Sequence, residues 1–166
     1  SMISLSSQYV RRSRSIVFCG APNVGKSSLL NAWLGQERVL VDAAPGTTRD
    51  PIEVEWSDGA HKWRIWDTAG MRGSAQGIEV RGIALGLERA HAADRCFWLL
   101  SPDVLQWPPE DLEADIVGSK SDLASLDFRK TVEAQCQAKH RRFSGWVSCF
   151  TQEGLIELKS LIAQPL

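Results

Sequence analysis

The chain has 166 residues, of which 43% are apolar and 23% are charged, a composition typical of a single globular domain. A formal net charge of −1 provides no overall positive field, so we expect no direct nucleic-acid contact by this domain. No apolar run approaches the about 18 residues that a membrane helix needs, and the four cysteines lack the spacing of metal ligands, so we expect neither a membrane helix nor a cysteine-bound metal.

Hydrophobic patterns along the chain predict strands that alternate with helices. Residues 1–14 are expected to be a lead-in that begins with an expression scar, and 15–166 to be the domain itself. The predicted strands cover 15–20, 51–56, 61–66, 95–100, 114–119 and 145–150. The predicted helices cover 26–35, 78–93, 127–140 and 153–164. This order indicates an α/β fold with a mostly parallel six-stranded sheet, one antiparallel edge strand from the first hairpin, and helices on both faces.

The first motif that carries chemistry is "GAPNVGKS" at residues 20–27, between a predicted strand and a predicted helix. It matches the phosphate-loop pattern G-x-x-x-x-G-K-[ST] at every position, and this pattern normally occurs in such a context. Backbone amides would surround the phosphates, Lys26 would contact the β and γ oxygens, and the Ser27 hydroxyl would hold magnesium. The alternative, a chance glycine-rich turn, is disfavoured by the flanking strand and helix.

Two further motifs could complete the phosphate and metal contacts. "DTAG" at 67–70 follows a predicted strand, which places Asp67 to reach magnesium through water and the Gly70 amide to contact the γ-phosphate. "PGTTRD" at 45–50 lies in a predicted loop, where it is either a polar turn or the source of a threonine hydroxyl for magnesium. Met71 follows "DTAG", close to where Ras-type proteins carry the glutamine that orients the attacking water, and methionine cannot orient water.

The choice of base is indicated by "SKSD" at 119–122, after the fifth predicted strand. Asp122 is placed to accept hydrogen bonds from guanine N1 and from its exocyclic amine, and adenine offers no such pair of donors. The Lys120 stem would lie along the base face, and "SCF" at 148–150 would donate a backbone amide to guanine O6. The expected ligands are therefore GTP and GDP, and a phosphate-loop kinase or ATPase is the less favoured alternative.

These motifs, together with "IEVRGIALGLERAHAAD" at 78–94, resemble the G domains of the MnmE (TrmE) family of tRNA-modification GTPases. The resemblance covers roughly residues 10 to 164. It implies a Ras-like phosphate-loop G domain over 15–166, in the wider group that also contains Era and EngA (Der). Family members also have an N-terminal folate-binding domain and a helical domain, which this sequence lacks, so we expect a single excised domain.

The resemblance also implies activation by potassium and by dimerisation of two G domains across the nucleotide. Asn23 matches the residue whose side chain binds potassium, and Asp42 and Ala44 would add carbonyls, with Thr47 nearby. Thr48 would be the magnesium threonine. Glu79 matches the catalytic residue that orients the attacking water, although a carboxylate in the first turn of a helix is a sufficient structural explanation. Asn23 is likewise explained as a turn residue.

Two departures from the family pattern concern the base-binding loops. Ser119 stands where the family has asparagine. In the family this asparagine connects the base loop, here residues 119–122, to the phosphate loop, here residues 20–27. We expect the shorter hydroxyl not to span this gap, which predicts weaker nucleotide binding with the guanine preference retained. "SCF" replaces the more usual Ser-Ala-Lys or Ser-Ala-Arg, so the backbone contact is expected to persist while Cys149 crowds the base.

The resemblance thus implies a GTPase domain of a protein that modifies the tRNA wobble uridine with an MnmG-like flavoprotein, and we expect it in the bacterial cytoplasm or in an organelle. A Der-type ribosome-assembly GTPase and a non-hydrolysing guanine-nucleotide switch remain alternatives. The expected nucleotide contacts are Asn23, Val24, Gly25, Lys26, Ser27, Ser28, Asp42, Thr47, Thr48, Asp67, Thr68, Ala69, Gly70, Ser119, Lys120, Asp122, Ser148 and Cys149.

Overall fold

The computed structural model describes residues 14–35, 52–67, 88 and 90–163. Within these ranges the strands are β1 (Arg14–Cys19), β2 (Ile52–Ser57), β3 (Lys62–Asp67), β4 (Arg95–Leu100), β5 (Asp115–Gly118) and β6 (Phe143–Trp146). The helices are α1 (Lys26–Leu34), α2 (Leu126–Ala138) and α3 (Leu155–Ala163). Residues 88 and 90–92 are also helical, which is the end of the helix predicted over 78–93.

The strands form one six-stranded sheet in the order β2-β3-β1-β4-β5-β6. Every neighbouring pair is parallel except β2 and β3, which form an antiparallel hairpin at the sheet edge. The α/β fold predicted from the sequence is therefore confirmed. Because parallel strands place their carboxyl ends on the same edge of the sheet, the loops after β1, β5 and β6 come together there, where open α/β sheets bind ligands.

Helices cover both faces of the sheet, as predicted. On one face, Leu29 and Trp33 of α1 and Leu158 of α3 pack against the strands, and all three side chains are buried. On the other face the packing includes Val132 of α2 and Ala90. The central strand β4 contributes to both cores, so it is almost continuously apolar, as expected of a strand that is buried on both sides.

One strand prediction is wrong in position. The last strand was expected at 145–150 and lies at Phe143–Trp146. The Ser148 hydroxyl accepts hydrogen bonds from the backbone amides of Phe150 and Thr151, at 3.2 and 3.0 Å, and this turn ends the extended conformation. The "SCF" segment therefore forms a turn directly after the strand, where it can face a ligand.

A smaller difference from the predicted bounds occurs at the start of β1. Arg14, assigned from the sequence to the lead-in, is the first residue of β1, and its guanidinium lies 5.6 Å from the centre of the Trp63 ring. The connection over 101–114 contains no helix and makes one isolated bridge between Ser101 and Val104. Among the described helices, none has the length and apolar character needed to cross a membrane.

Candidate nucleotide-binding site

The phosphate loop joins β1 to α1 in a conformation that depends on particular residues. Asn23 and Gly25 have φ values of 69° and 100°, so two nearby residues adopt left-handed conformations. Such an arrangement turns successive backbone amides inward to form an anion-binding concavity. Gly20 has φ 141°, and a Cβ atom there would lie only 2.9 Å from the Leu99 carbonyl oxygen and from Val24 Cγ2. The first glycine of the motif is therefore required by a close approach to β4.

Lys26 lies inside this loop. Its side chain is only 7% exposed, and its Nζ atom donates a hydrogen bond of 2.5 Å to the Gly20 carbonyl oxygen. Lys26 is also the first residue of α1, and Ser27 follows at the exposed helix N-terminus. An ammonium group, a loop with two left-handed residues and a helix N-terminus thus lie together, which is the combination that a phosphate chain requires.

Ser119 connects the base loop to the phosphate loop, which corrects the sequence expectation. The side chain is 2% exposed, and its Oγ atom lies 2.5 Å from the Val24 carbonyl oxygen and 3.1 Å from that of Leu100. The expectation that a hydroxyl would be too short was wrong because the two loops approach closely enough for serine. A hydroxyl has a single hydrogen, so the two carbonyl groups share it, and the Leu100 carbonyl also accepts a hydrogen bond of 2.7 Å from the Ser119 backbone amide.

Asp122 is exposed and is oriented by the loop that follows β6. The fully buried Ser148 hydroxyl donates a hydrogen bond of 2.8 Å to Asp122 Oδ1. Cys149 is half-buried against the core, and burial together with the nearby Asp122 charge raises the pKa of its thiol. The structure thus brings the two predicted base-binding segments into direct contact.

Lys120 makes the second connection between the base loop and the phosphate loop. Its Nζ atom donates to the Asn23 carbonyl oxygen at 2.7 Å and to Asp103 Oδ2 at 2.8 Å. Asp103 lies outside every motif found in the sequence. Its contact with Lys120 forms only when the β4–β5 connection folds, so no local pattern indicates it. The pKa of the Asp103 carboxyl is lowered to about 2, mainly by the hydrogen bond from Lys120 and secondly by the hydrogen bond from Ser101.

Sequence reasoning also missed Arg129 of α2, which supports the base loop from behind. Its Nη2 atom donates to the Ser121 carbonyl oxygen at 2.8 Å and to Glu153 Oε1 at 3.1 Å. Its guanidinium lies 5.4 Å from the centre of the Trp146 ring. No local pattern could have identified this arginine, because its partners are 8 and 24 residues away and come together only in the fold.

Other predicted site residues lie outside the part of the chain that the structure describes. The backbone of Asp67 ends β3 at the expected edge of the sheet, and nothing further is described of its side chain. The remaining residues of this group are Asp42, Ala44, Thr47, Thr48, Thr68, Ala69, Gly70 and Glu79.

Comparison with known proteins adds independent findings. Residues 15–130 match the model of a family described as 50S ribosome-binding GTPase. The tRNA modification GTPase MnmE of Chlamydia pneumoniae is 35% identical over 164 residues, which are 95% of this chain and 34% of that protein. The mitochondrial tRNA modification GTPase MSS1 of Saccharomyces cerevisiae is 36% identical over 165 residues, which are 89% of this chain and 31% of that protein.

A solved structure of Era in complex with MgGDPNP and a segment of 16S ribosomal RNA has a TM-score of 0.68 and 20% identity, over 93% of this chain and 59% of that one. This likeness supports the fold alone. The chain spans about a third of the length of the curated relatives that it matches. Because the family model covers well over half of the chain, and because relatives of one kind match nearly all of it, the chain belongs to the 50S ribosome-binding GTPase family and is a GTPase domain of the MnmE type.

Proposed function

We propose that this domain hydrolyses GTP with the help of magnesium, potassium and a second G domain, and that it powers tRNA modification in a longer protein. The proposal that the domain binds GTP rests on the hydrogen bonds that Ser119 and Lys120 donate to the phosphate loop. Through them the predicted base site and the predicted phosphate site form one joined surface at the sheet edge. A GTP molecule could contact both parts at once.

The roles at the phosphates follow from the loop geometry. Lys26 and the amides of the loop would hold the β- and γ-phosphates, and their charge would be most effective in this largely buried position. Ser27, Thr48 and Asp67 (through water) would hold Mg²⁺, which supplies positive charge at the β- and γ-oxygens. The described residues fit this assignment, since Ser27 is exposed directly after the lysine of the loop.

Potassium would be held by the Asn23 side chain with Asp42, Ala44 and Thr47, and would supply the charge that an arginine finger provides in other GTPases. The position of Asn23 supports this proposal, since its side chain is exposed in the left-handed turn of the phosphate loop. Glu79 would then orient the attacking water, which Met71 is unable to do. The paired G domain would close the site and limit access of bulk water.

At the level of the whole protein, the names of the similar proteins support a role in tRNA modification. We propose modification of the wobble uridine together with an MnmG-like flavoprotein, with residues 15–166 as the G domain. The location would be the bacterial cytoplasm, or an organelle if the source is a eukaryote.

The test is GTP turnover over a range of protein concentrations in potassium chloride and in sodium chloride. We expect turnover per molecule to rise with protein concentration in potassium and to remain low in sodium. Glu79→Ala should lower the potassium-stimulated rate by about a hundredfold or more while GDP binding is unchanged, because a water-orienting group acts after binding.

Glu88→Ala is the matched control, since Glu88 is an exposed carboxylate at the end of the same predicted helix. It should hydrolyse GTP like the wild type. Equal rates in the two salts, in a protein shown to bind GTP, would contradict the potassium mechanism. A Glu79→Ala variant as active as the Glu88→Ala control would contradict the proposed role of Glu79.

A further inference from the structure

The connection between β4 and β5 carries a carboxylate that contacts the loop after β5. Asp103 Oδ2 accepts a hydrogen bond of 2.8 Å from Lys120 Nζ, and the same ammonium donates to the Asn23 carbonyl oxygen at 2.7 Å. Three separate segments therefore meet at one lysine. These segments are the β4–β5 connection, the base loop and the phosphate loop.

The Asp103 carboxylate is itself held in place by the end of the central strand. Its Oδ1 atom accepts a hydrogen bond of 2.6 Å from the Ser101 hydroxyl, and Ser101 is fully buried. The backbone amide of Val104 also donates to Ser101 Oγ at 3.2 Å, which closes a tight turn around the aspartate. Both carboxylate oxygens are thus engaged, and the group is presented to Lys120 in a fixed orientation.

Lys120 needs such support because of its geometry. Its own backbone is left-handed, with φ 53°, and a lysine side chain has a long stem that is costly in entropy to immobilise. The Asn23 carbonyl that it binds belongs to a residue in the left-handed region, which asparagine adopts more readily than most residues other than glycine. A second partner that restricts the ammonium would favour the contact between Lys120 and Asn23.

We propose that Asp103 is a positioning residue for guanine-nucleotide binding, which holds Lys120 beside the base site and against the phosphate loop without touching the nucleotide. The proposal rests on the nucleotide-binding role of these loops. The ion pair between Lys120 and Asp103 should affect mainly nucleotide binding. Their side chains are 29% and 54% exposed, and an ion pair so exposed adds little to folding stability on its own.

The test measures the dissociation rate of fluorescently labelled GDP from four proteins: wild type, Asp103→Asn, Lys120→Ala and the double variant. Asp103→Asn retains the size of the side chain and an acceptor for Ser101, but it removes the charge. We expect it to speed GDP release by about three- to tenfold, the range of a charged hydrogen bond that is partly solvated. In the Lys120→Ala background the same substitution should have no further effect.

Glu110→Gln is the control, because it removes one negative charge from an exposed position in the same connection. It should release GDP at the wild-type rate, whereas Asp103→Glu should recover part of the loss by restoring the charge. The melting temperature of the nucleotide-free Asp103→Asn variant should stay close to that of the wild type, since this side chain is more than half exposed.

Two results would overturn the assignment of Asp103. One is a GDP release rate for Asp103→Asn equal to that of Glu110→Gln. The other is an additive effect in the double variant, which would show that Asp103 acts independently of Lys120. A wild-type protein that fails to bind GDP would instead contradict the proposed nucleotide site itself, and with it this inference.

Discussion

At the scale of single residues, Ser119 shows how a small side chain can join two loops. Its hydroxyl reaches the Val24 carbonyl at 2.5 Å from a position that is 2% exposed. The motif alone placed this residue correctly in the base loop but could not give the distance between the loops. That distance depends on the pairing of β4 with β1 and with β5, and it decides whether a hydroxyl is long enough.

Substitution of Ser119 tests whether this hydrogen bond contributes to nucleotide binding. Ser119→Ala should weaken GDP binding by about fivefold, because the buried Val24 carbonyl loses its hydroxyl donor, whereas the Leu100 carbonyl keeps the hydrogen bond of 2.7 Å from the Ser119 backbone amide. Ser119→Asn should tighten binding by a similar factor, since an amide group offers one hydrogen to each carbonyl. Titration of GDP against the three proteins measures both effects. An alanine variant that binds GDP like the wild type would show that the hydrogen bond between Ser119 and Val24 does not contribute to nucleotide binding.

At the scale of elements, the strands of the sheet were the most predictable features. Continuous apolar runs placed β1, β4 and β5 within one or two residues, because a strand buried on both faces has few alternatives. The last strand was misplaced because "GWVSCF" has strand-like composition, whereas the hydrogen bonds of Ser148 turn the chain. Side-chain hydrogen bonds of this kind compete with extended structure, and composition alone does not reveal them.

The contact between β5 and β6 gives a prediction at this scale. A Cβ atom on Gly118 would lie 2.2 Å from the Trp146 ring, and that ring is already held by Phe128 and Phe143. Gly118→Ala should therefore lower the free energy of unfolding by about 1–3 kcal/mol, the usual cost of overpacking. Urea denaturation measures the change. In a Trp146→Leu background the cost should fall, and an equal cost there would rule out a clash with the ring.

At the scale of the whole molecule, the order of strands explains why motifs far apart in sequence form one site. β1 is central and is followed by the phosphate loop, while β5 and β6 lie on one side of it and are followed by the base loops. The alternation of strands and helices predicted the mostly parallel sheet from which this convergence follows. It could not predict Asp103 or Arg129, because both act through partners that are distant along the chain.

The most direct test of the guanine-nucleotide site is a comparison of GDP with xanthosine diphosphate in the wild type and in Asp122→Asn. Xanthine has a carbonyl where guanine has an amine, so a carboxylate should favour guanine and an amide should favour xanthine. The amide side chain of this variant would retain an acceptor for the Ser148 hydroxyl, which should preserve the orientation of the side chain.

Asp127→Asn, at an exposed position in the first turn of α2, is the control and should retain the wild-type preference. We expect the wild type to prefer GDP by about a hundredfold or more, and Asp122→Asn to reverse this order. Retention of the GDP preference by Asp122→Asn would contradict the assignment of Asp122, and equal binding of the two nucleotides by the wild type would contradict the guanine site as a whole.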